Sequence, residues 1–254
     1  MKLFIKNRKG QKLATVLELV GDSRGLAFIM HGLGGFKEQP HIRAFAEAFL
    51  SQKYSVVTFD TANTLGESEG TIEEASITSY YQDLEDIIAW AREQEWYREP
   101  FILVGHSLGG ICVGLYAANF PRRVKALAPI STVVSGQLSR DNMPKEELDN
   151  WEKSGWLVKE SNSKPGFFRR IPWSEMKDRL QYDLLSRANQ LTMPTLLIVG
   201  EKDHTTPLAH QELLFTELPG KKELHVIKDG EHTFRQKEQL QEIKKIINKW
   251  IETL

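Results

Sequence analysis

Phe101-Ile102-Leu103-Val104-Gly105-His106-Ser107-Leu108-Gly109-Gly110 is the stretch that decides how this chain folds. The apolar run Phe101 to Val104 is too short for a buried helix and suits a strand covered on both faces. Gly105 to Gly109 spell G-x-S-x-G, and the small apolar residues from Ile111 to Ala118 predict a helix. Strand, sharp turn and helix form the setting in which this pattern lifts a serine hydroxyl above a sheet edge. The turn forces Ser107 into strained backbone angles, and glycine at 105 and 109 removes side chains that would collide there. Outside that setting, the same letters are only a glycine-rich turn.

Working outward, the flanking chain alternates short apolar runs with helical periodicity. Leu3 to Ile5 and Leu13 to Val20 read as two strands joined by the polar turn Asn7 to Gln11, an antiparallel hairpin at a sheet edge. Leu26 to Met30 is a strand that runs into His31-Gly32-Leu33-Gly34-Gly35. A helix follows, with Ile42, Phe45, Ala46, Phe49 and Leu50 on one face. Ser55 to Phe59 is the next strand, ending at Asp60. Thr71, with Glu74 three residues on, reads as a capping box opening a long helix that Pro100 bounds. Beyond the central strand and its helix, Lys125 to Ile130, Thr195 to Val199 and Leu224 to Ile227 are further strands. Helices are expected from Thr206-Pro207 and along Leu240, Ile243, Ile247 and Trp250. This rhythm predicts a mostly parallel sheet with helices on both faces.

Taken together, the G-H-S-L-G elbow, the H-G-L-G-G loop and the strand-helix order resemble the α/β-hydrolase superfamily over nearly the whole chain. Within it the sequence is most similar to small feruloyl/cinnamoyl-esterase-like hydrolases, with affinities to the serine aminopeptidase-like and monoacylglycerol-lipase-like groups. The resemblance implies an α/β-hydrolase fold with a twisted sheet of about eight strands. It also implies a core domain over residues 1–130 and 191–254 and a small cap insert over 131–190.

In such a fold the acid and the histidine follow the serine, each on a loop after a later strand. Asp203 follows Thr195 to Val199, and His232 follows Leu224 to Ile227. The implied roles are Ser107 as nucleophile, His232 as general base and then acid, and Asp203 to orient the imidazole. Glu201 and Asp229 are alternatives to Asp203. His225 lies mid-strand, His204 adjoins Asp203, and His31, His41 and His106 belong to other loops or to a helix start. An oxyanion hole needs backbone donors fixed in advance. Leu108 supplies one at its helix start, and the resemblance points to Leu33 for the second. Many relatives carry Gly-His-Gly in the loop after the fourth strand; this chain has Thr64-Leu65-Gly66, which puts the shape of that loop in question.

Composition narrows the function classes. The chain has 254 residues, with 33 Lys plus Arg against 34 Asp plus Glu, so no overall field favours nucleic acid or an anionic membrane. A single cysteine excludes an internal disulfide and suits a reducing, cytoplasmic setting. No apolar run is long enough to span a bilayer. The histidines lack H-E-x-x-H or similar spacing, and no G-x-G-x-x-G with an acidic partner occurs, so neither a metal nor a cofactor is expected.

Between Ser131 and Gln190 the rhythm breaks, and Trp151, Trp156, Phe167, Phe168, Trp173 and Tyr182 cluster. Trp156 to Glu160 and Phe167 to Ile171 suggest a hairpin turning through Asn162 to Gly166. Its aromatics either line a substrate pocket or bury one another. Arg169 and Arg170 read as a solvated pair at the hairpin end, with capture of a substrate carboxylate as the sharper option. Cys112 reads as a small core residue.

The expected activity is hydrolysis of small carboxylic esters through an acyl-enzyme, with a small-molecule ester as the substrate and no nucleic acid as a partner. Thioester, monoacylglycerol or peptide-amide cleavage would use the same groups. A hydrolase-fold binding protein without turnover is the alternative of a different class.

Overall fold

The computed structural model describes residues 1–161, 164 and 166–254. An eight-stranded sheet runs through the molecule in the order β1 (Lys2–Lys6), β2 (Lys12–Glu18), β4 (Tyr54–Phe59), β3 (Gly25–Met30), β5 (Phe101–His106), β6 (Val124–Ile130), β9 (Thr195–Gly200) and β10 (Lys222–Ile227). β1 and β2 pair antiparallel, as do β2 and β4; every pairing from β4 across to β10 is parallel. β5 and β9 are buried at every residue, as a strand covered on both faces must be.

Two apolar clusters lie on opposite faces. On one, α1 (Pro40–Ser51) and α8 (Lys237–Ile251) bury Ile42, Phe45, Phe49, Ile243, Ile247 and Trp250 against the sheet. On the other, α2 (Ile77–Arg92), α3 (Leu108–Asn119) and α7 (Leu208–Glu217) contribute Tyr80, Leu84, Ile87, Ile111 and Leu214. α3 is buried from Leu108 to Ala118, which explains its all-round apolar sequence. Cys112 sits there with its thiol pushed up by burial.

The start of α2 differs from the sequence expectation. Residues 72–74 form a single 3-10 turn, and the α-helix opens at Ile77 behind Ser76. Ser76 Oγ accepts the Ser79 N–H at 3.1 Å, and Ser79 Oγ accepts the Ser76 N–H at 3.0 Å. This reciprocal pair satisfies two end donors, so it displaces the Thr71–Glu74 box as the cap.

Residues 131–190 contain α4 (Gly136–Asp141), α5 (Lys145–Ser154), α6 (Trp173–Arg179) and an antiparallel hairpin of β7 (Trp156–Glu160) with β8 (Phe168–Pro172). Asn162, Ser163 and Pro165 of the expected hairpin turn lie outside the described residues. Near the two ends of this 131–190 stretch, Val133, Val134, Leu184 and Ala188 pack in the core cluster beside α3. Its middle has a small core of its own in Trp151, Ile171 and Met176. Trp151 packs edge-on against Trp173 with centroids 5.3 Å apart, and its Nε1–H donates to the Ile171 carbonyl at 3.0 Å.

Candidate active site

Ser107 stands between the end of β5 and the first turn of α3 with φ 55° and ψ −117°. Close packing explains the flanking glycines. A Cβ on Gly105 would lie 2.3 Å from the Gly109 carbonyl oxygen, and one on Gly109 would lie 2.4 Å from the His31 carbonyl oxygen. Both obstacles are backbone and cannot swing aside. The strained serine is fixed from both sides, its N–H donating to Ile130 O at 3.0 Å on the neighbouring strand.

Asp203 and His232 occupy the loops after β9 and β10, at the same carboxyl-terminal rim as Ser107. The structure brings the three side chains together. Ser107 Oγ lies 2.8 Å from His232 Nε2, and His232 Nδ1 lies 2.9 and 3.1 Å from the two Asp203 carboxylate oxygens. Donation from Nδ1 to the carboxylate leaves Nε2 as an acceptor facing the hydroxyl. Asp203 also accepts from the Thr205 and Thr206 N–H groups and from Thr206 Oγ, each at 2.9 Å. Burial alone would raise the Asp203 carboxyl. The His232 hydrogen bond and charge, with the Thr206 donors, outweigh it and hold the group well below the usual carboxylate range.

The alternative acids point elsewhere. Asp229 pairs with the exposed Lys202 at 2.5 Å, and Glu201 accepts the Asp229 N–H at 2.9 Å. His225 pairs with Glu223 at 3.0 Å on the edge strand. His204 lines the cavity mouth, where its carbonyl accepts from Asn142 Nδ2 at 2.7 Å. His31 is buried, accepts the Thr61 N–H at Nε2 and donates from Nδ1 to Gly32 O, which fixes one neutral tautomer beside the glycine loop.

Sequence reasoning passed over Thr206 and His106. Thr206 lies three residues after Asp203, and its hydroxyl bridges Asp203 to the Ser131 carbonyl at 2.9 Å. The D-x-x-T spacing was the available signal, since a short side chain there folds back on the carboxylate. His106 Nε2 donates to the His232 carbonyl at 2.8 Å. Burial first, and then the charge of His232, lower the His106 imidazole to about 3. Its ring packs against buried His41 with centroids 4.5 Å apart, and neither nitrogen of His41 has a hydrogen-bond partner among the described residues.

Leu33 and Leu108 both line a cavity of 340 Å³ above Ser107. The Leu108 N–H belongs to the first turn of α3, which has no intrahelical acceptor and carries the positive end of the helix dipole. The Leu33 loop is held by Gly35 N–H to Gly32 O at 2.9 Å and by Gly34 N–H to Tyr80 Oη at 3.4 Å. Further along the wall lie Met143, Trp151, Leu157 and Ile171. The loop 60–70 is organised around the buried Asp60 carboxylate, which accepts the Lys37 and Glu67 N–H groups at 2.7 and 2.8 Å. Gly66 packs directly on that carboxylate, where a Cβ would lie 2.3 Å from its atoms, so the Thr64-Leu65-Gly66 turn is built against Asp60. Among the described residues, Glu38, Asp60 and Glu67 are the group of carboxylates close enough to share a cation, and the Lys37 ammonium already lies within 2.9 Å of all three.

With this architecture and a serine elbow at its centre, the chain belongs to the alpha/beta hydrolase fold family, whose model matches residues 28–170. It is 28% identical to mouse palmitoyl-protein thioesterase ABHD10, mitochondrial, over 86% of this chain and 72% of that protein. It is 20% identical to mouse monoacylglycerol lipase ABHD6 over 72% of this chain and 63% of that protein. Among solved structures, Est1E from Butyrivibrio proteoclasticus with ferulic acid bound superposes with a TM-score of 0.85 at 19% identity, covering 99% of this chain and 98% of that one. Mouse alpha/beta hydrolase domain-containing protein 10 gives 0.82 at 23% identity, covering 100% and 99%. Among the described residues, no helix is long and apolar enough to cross a membrane.

Proposed function

We propose that this protein is a serine hydrolase that cleaves small carboxylic esters through an acyl-enzyme. The observation that carries the reading is the continuous chain Ser107 Oγ–His232–Asp203, with contacts of 2.8 and 2.9 Å. As Oγ attacks the ester carbonyl, His232 Nε2 takes its proton, and Asp203 steadies the imidazolium that forms. The Leu33 and Leu108 amides receive the negative charge on the carbonyl oxygen. The C–O bond to the alcohol then breaks, and His232 returns the proton to the leaving oxygen. Water repeats the sequence on the acyl-serine and regenerates the hydroxyl.

In this reading residues 131–190 are the cap, and 1–130 with 191–254 the body beneath it. The cavity of 340 Å³ is near the small end of ligand pockets, which run from ~300 to ~1,000 Å³, and this favours short or aromatic acyl groups. Thioester cleavage is the second reading, favoured by the 28% identity to a palmitoyl-protein thioesterase. The buried, unpaired Cys112 suits a reducing compartment such as the cytoplasm.

The test is labelling by a fluorophosphonate probe together with hydrolysis of p-nitrophenyl butyrate. Wild type is expected to do both, and Ser107→Ala to lose turnover on the order of 10⁶-fold. Absence of labelling and turnover in wild type would favour a ligand-binding protein. Oxoester against thioester rates with one acyl group decide between the two chemistries.

A further inference from the structure

The hairpin of β7 and β8 separates two adjacent arginines. Lys159 pairs with Arg169 and Val158 with Arg170, so successive side chains point to opposite faces. Leu157, Lys159, Arg169 and Ile171 turn toward the cavity above Ser107. Arg170 turns out to solvent and lays its guanidinium 4.5 Å from the Trp156 ring centroid. The expectation of a solvated pair therefore holds for Arg170 and fails for Arg169, because the two-residue period puts neighbours on opposite sides.

The cations on the cavity wall differ in their company. Lys159 pairs with Glu147 at 2.7 Å, and Arg179 pairs with Glu175 at 2.7 Å. Arg169 has no carboxylate partner among the described residues. Its side-chain hydrogen bond there runs from Nη1 to the Leu33 carbonyl at 3.3 Å, and its Nε is buried without an acceptor. Its Cδ and Nη1 would lie 3.0 and 3.1 Å from a Cβ on Gly34, so the guanidinium rests against the glycine loop that carries Leu33. Burial lowers the pKa of the guanidinium, with only Tyr80 acting against it. A charge withdrawn from water without a counter-charge is costly, and the planar fork of arginine matches a carboxylate.

We infer that Arg169 binds a carboxylate carried by the substrate, so that the preferred esters are anionic close to the scissile bond. This assignment rests on the serine-hydrolase reading and narrows its substrate class. The carboxylate sits on the acyl half or on the leaving alcohol; the recognition chemistry is the same.

Two matched pairs of esters distinguish these sources. Mono-p-nitrophenyl adipate against its methyl ester varies charge on the acyl side, and 4-carboxyphenyl against 4-carbamoylphenyl butyrate varies it on the leaving side. Wild type is expected to favour the charged member of at least one pair by about tenfold or more in kcat/KM. Arg169→Met is expected to lose about 10- to 100-fold more on that charged ester than on its neutral partner, the usual scale for a hydrogen bond to a charged group. Arg169→Lys, which keeps the charge without the fork, should fall between. Calorimetric binding of the charged ester to Ser107→Ala, weakened by adding Arg169→Met, reads the same contact without turnover. If no ester is cleaved, the hydrolase reading falls and calorimetry alone judges Arg169. Equal losses on charged and neutral esters, or equal binding of the two by Ser107→Ala, would overturn the assignment.

Discussion

The His106 Nε2–H donates to the main-chain carbonyl of His232 at 2.8 Å, so the residue beside the serine holds the backbone of the residue that faces it. This contact ties the elbow to the loop after β10 independently of the Ser107–His232 hydrogen bond. His106→Leu removes the donor and leaves a part-buried carbonyl unpaired, at a cost of about 1–3 kcal/mol. A displaced imidazole also reacts poorly, and an error of ~1 Å can cost ~10² in rate. We expect kcat to fall about 10- to 100-fold with KM near wild type, measured by steady-state hydrolysis. Unchanged kcat in a folded variant would remove the positioning role.

Asp203→Asn tests orientation and acid stability together. An amide in place of the carboxylate favours the wrong imidazole tautomer, and a loss on the order of 10⁴ in kcat is expected. Because the folded Asp203 carboxyl is held below the unfolded value of about 3.9, its contribution to stability is present above that value. It is lost as pH falls through the folded value. The Tm of wild type should therefore drop more steeply below about pH 5 than that of Asp203→Asn. Parallel curves would mean that the pairing does not stabilise the fold.

Gly109→Ala places a methyl 2.4 Å from the His31 carbonyl oxygen. Backbone on both sides of the contact prevents relief by a rotamer change. Destabilisation of about 1–3 kcal/mol or more is expected, read as a fall in the denaturation midpoint. A variant as stable as wild type would show that the elbow is looser than its packing implies.

Trp151→Ala empties the centre of the insert and exposes the Ile171 carbonyl that the indole caps. Truncating a buried aromatic costs about 3–5 kcal/mol, but here the loss is confined to a satellite core. Hydrogen exchange in β7 and β8 should accelerate while β5 and β9 stay protected, and KM should rise. Equal acceleration in all four strands would show that insert and body unfold as one.

Much of this architecture was legible because its central strands are short, largely apolar and separated by helical periodicity, as at Phe101 to Val104 and Thr195 to Val199. Asp203 and His232 were legible through their positions after strands. The start of α2 was not, because Thr71-x-x-Glu74 and Ser76-x-x-Ser79 are both cap patterns, and only packing chooses between them. Nor was Arg169 separable from Arg170, since the register of a hairpin decides which of two neighbours turns inward, and that register depends on pairing across a turn. The contact from His106 to His232 joins residues 126 apart in the chain and leaves no local trace.

The hydroxyl of Ser107 and the imidazole that faces it are separated by 125 residues, and the strand that precedes His232 is the last of the sheet. A ribosome therefore delivers the Ser107 hydroxyl long before the imidazole that contacts it, and a chain that stops short of residue 232 lacks that contact. In the proposed mechanism, the capacity to attack acyl groups therefore arrives only once the chain has passed His232.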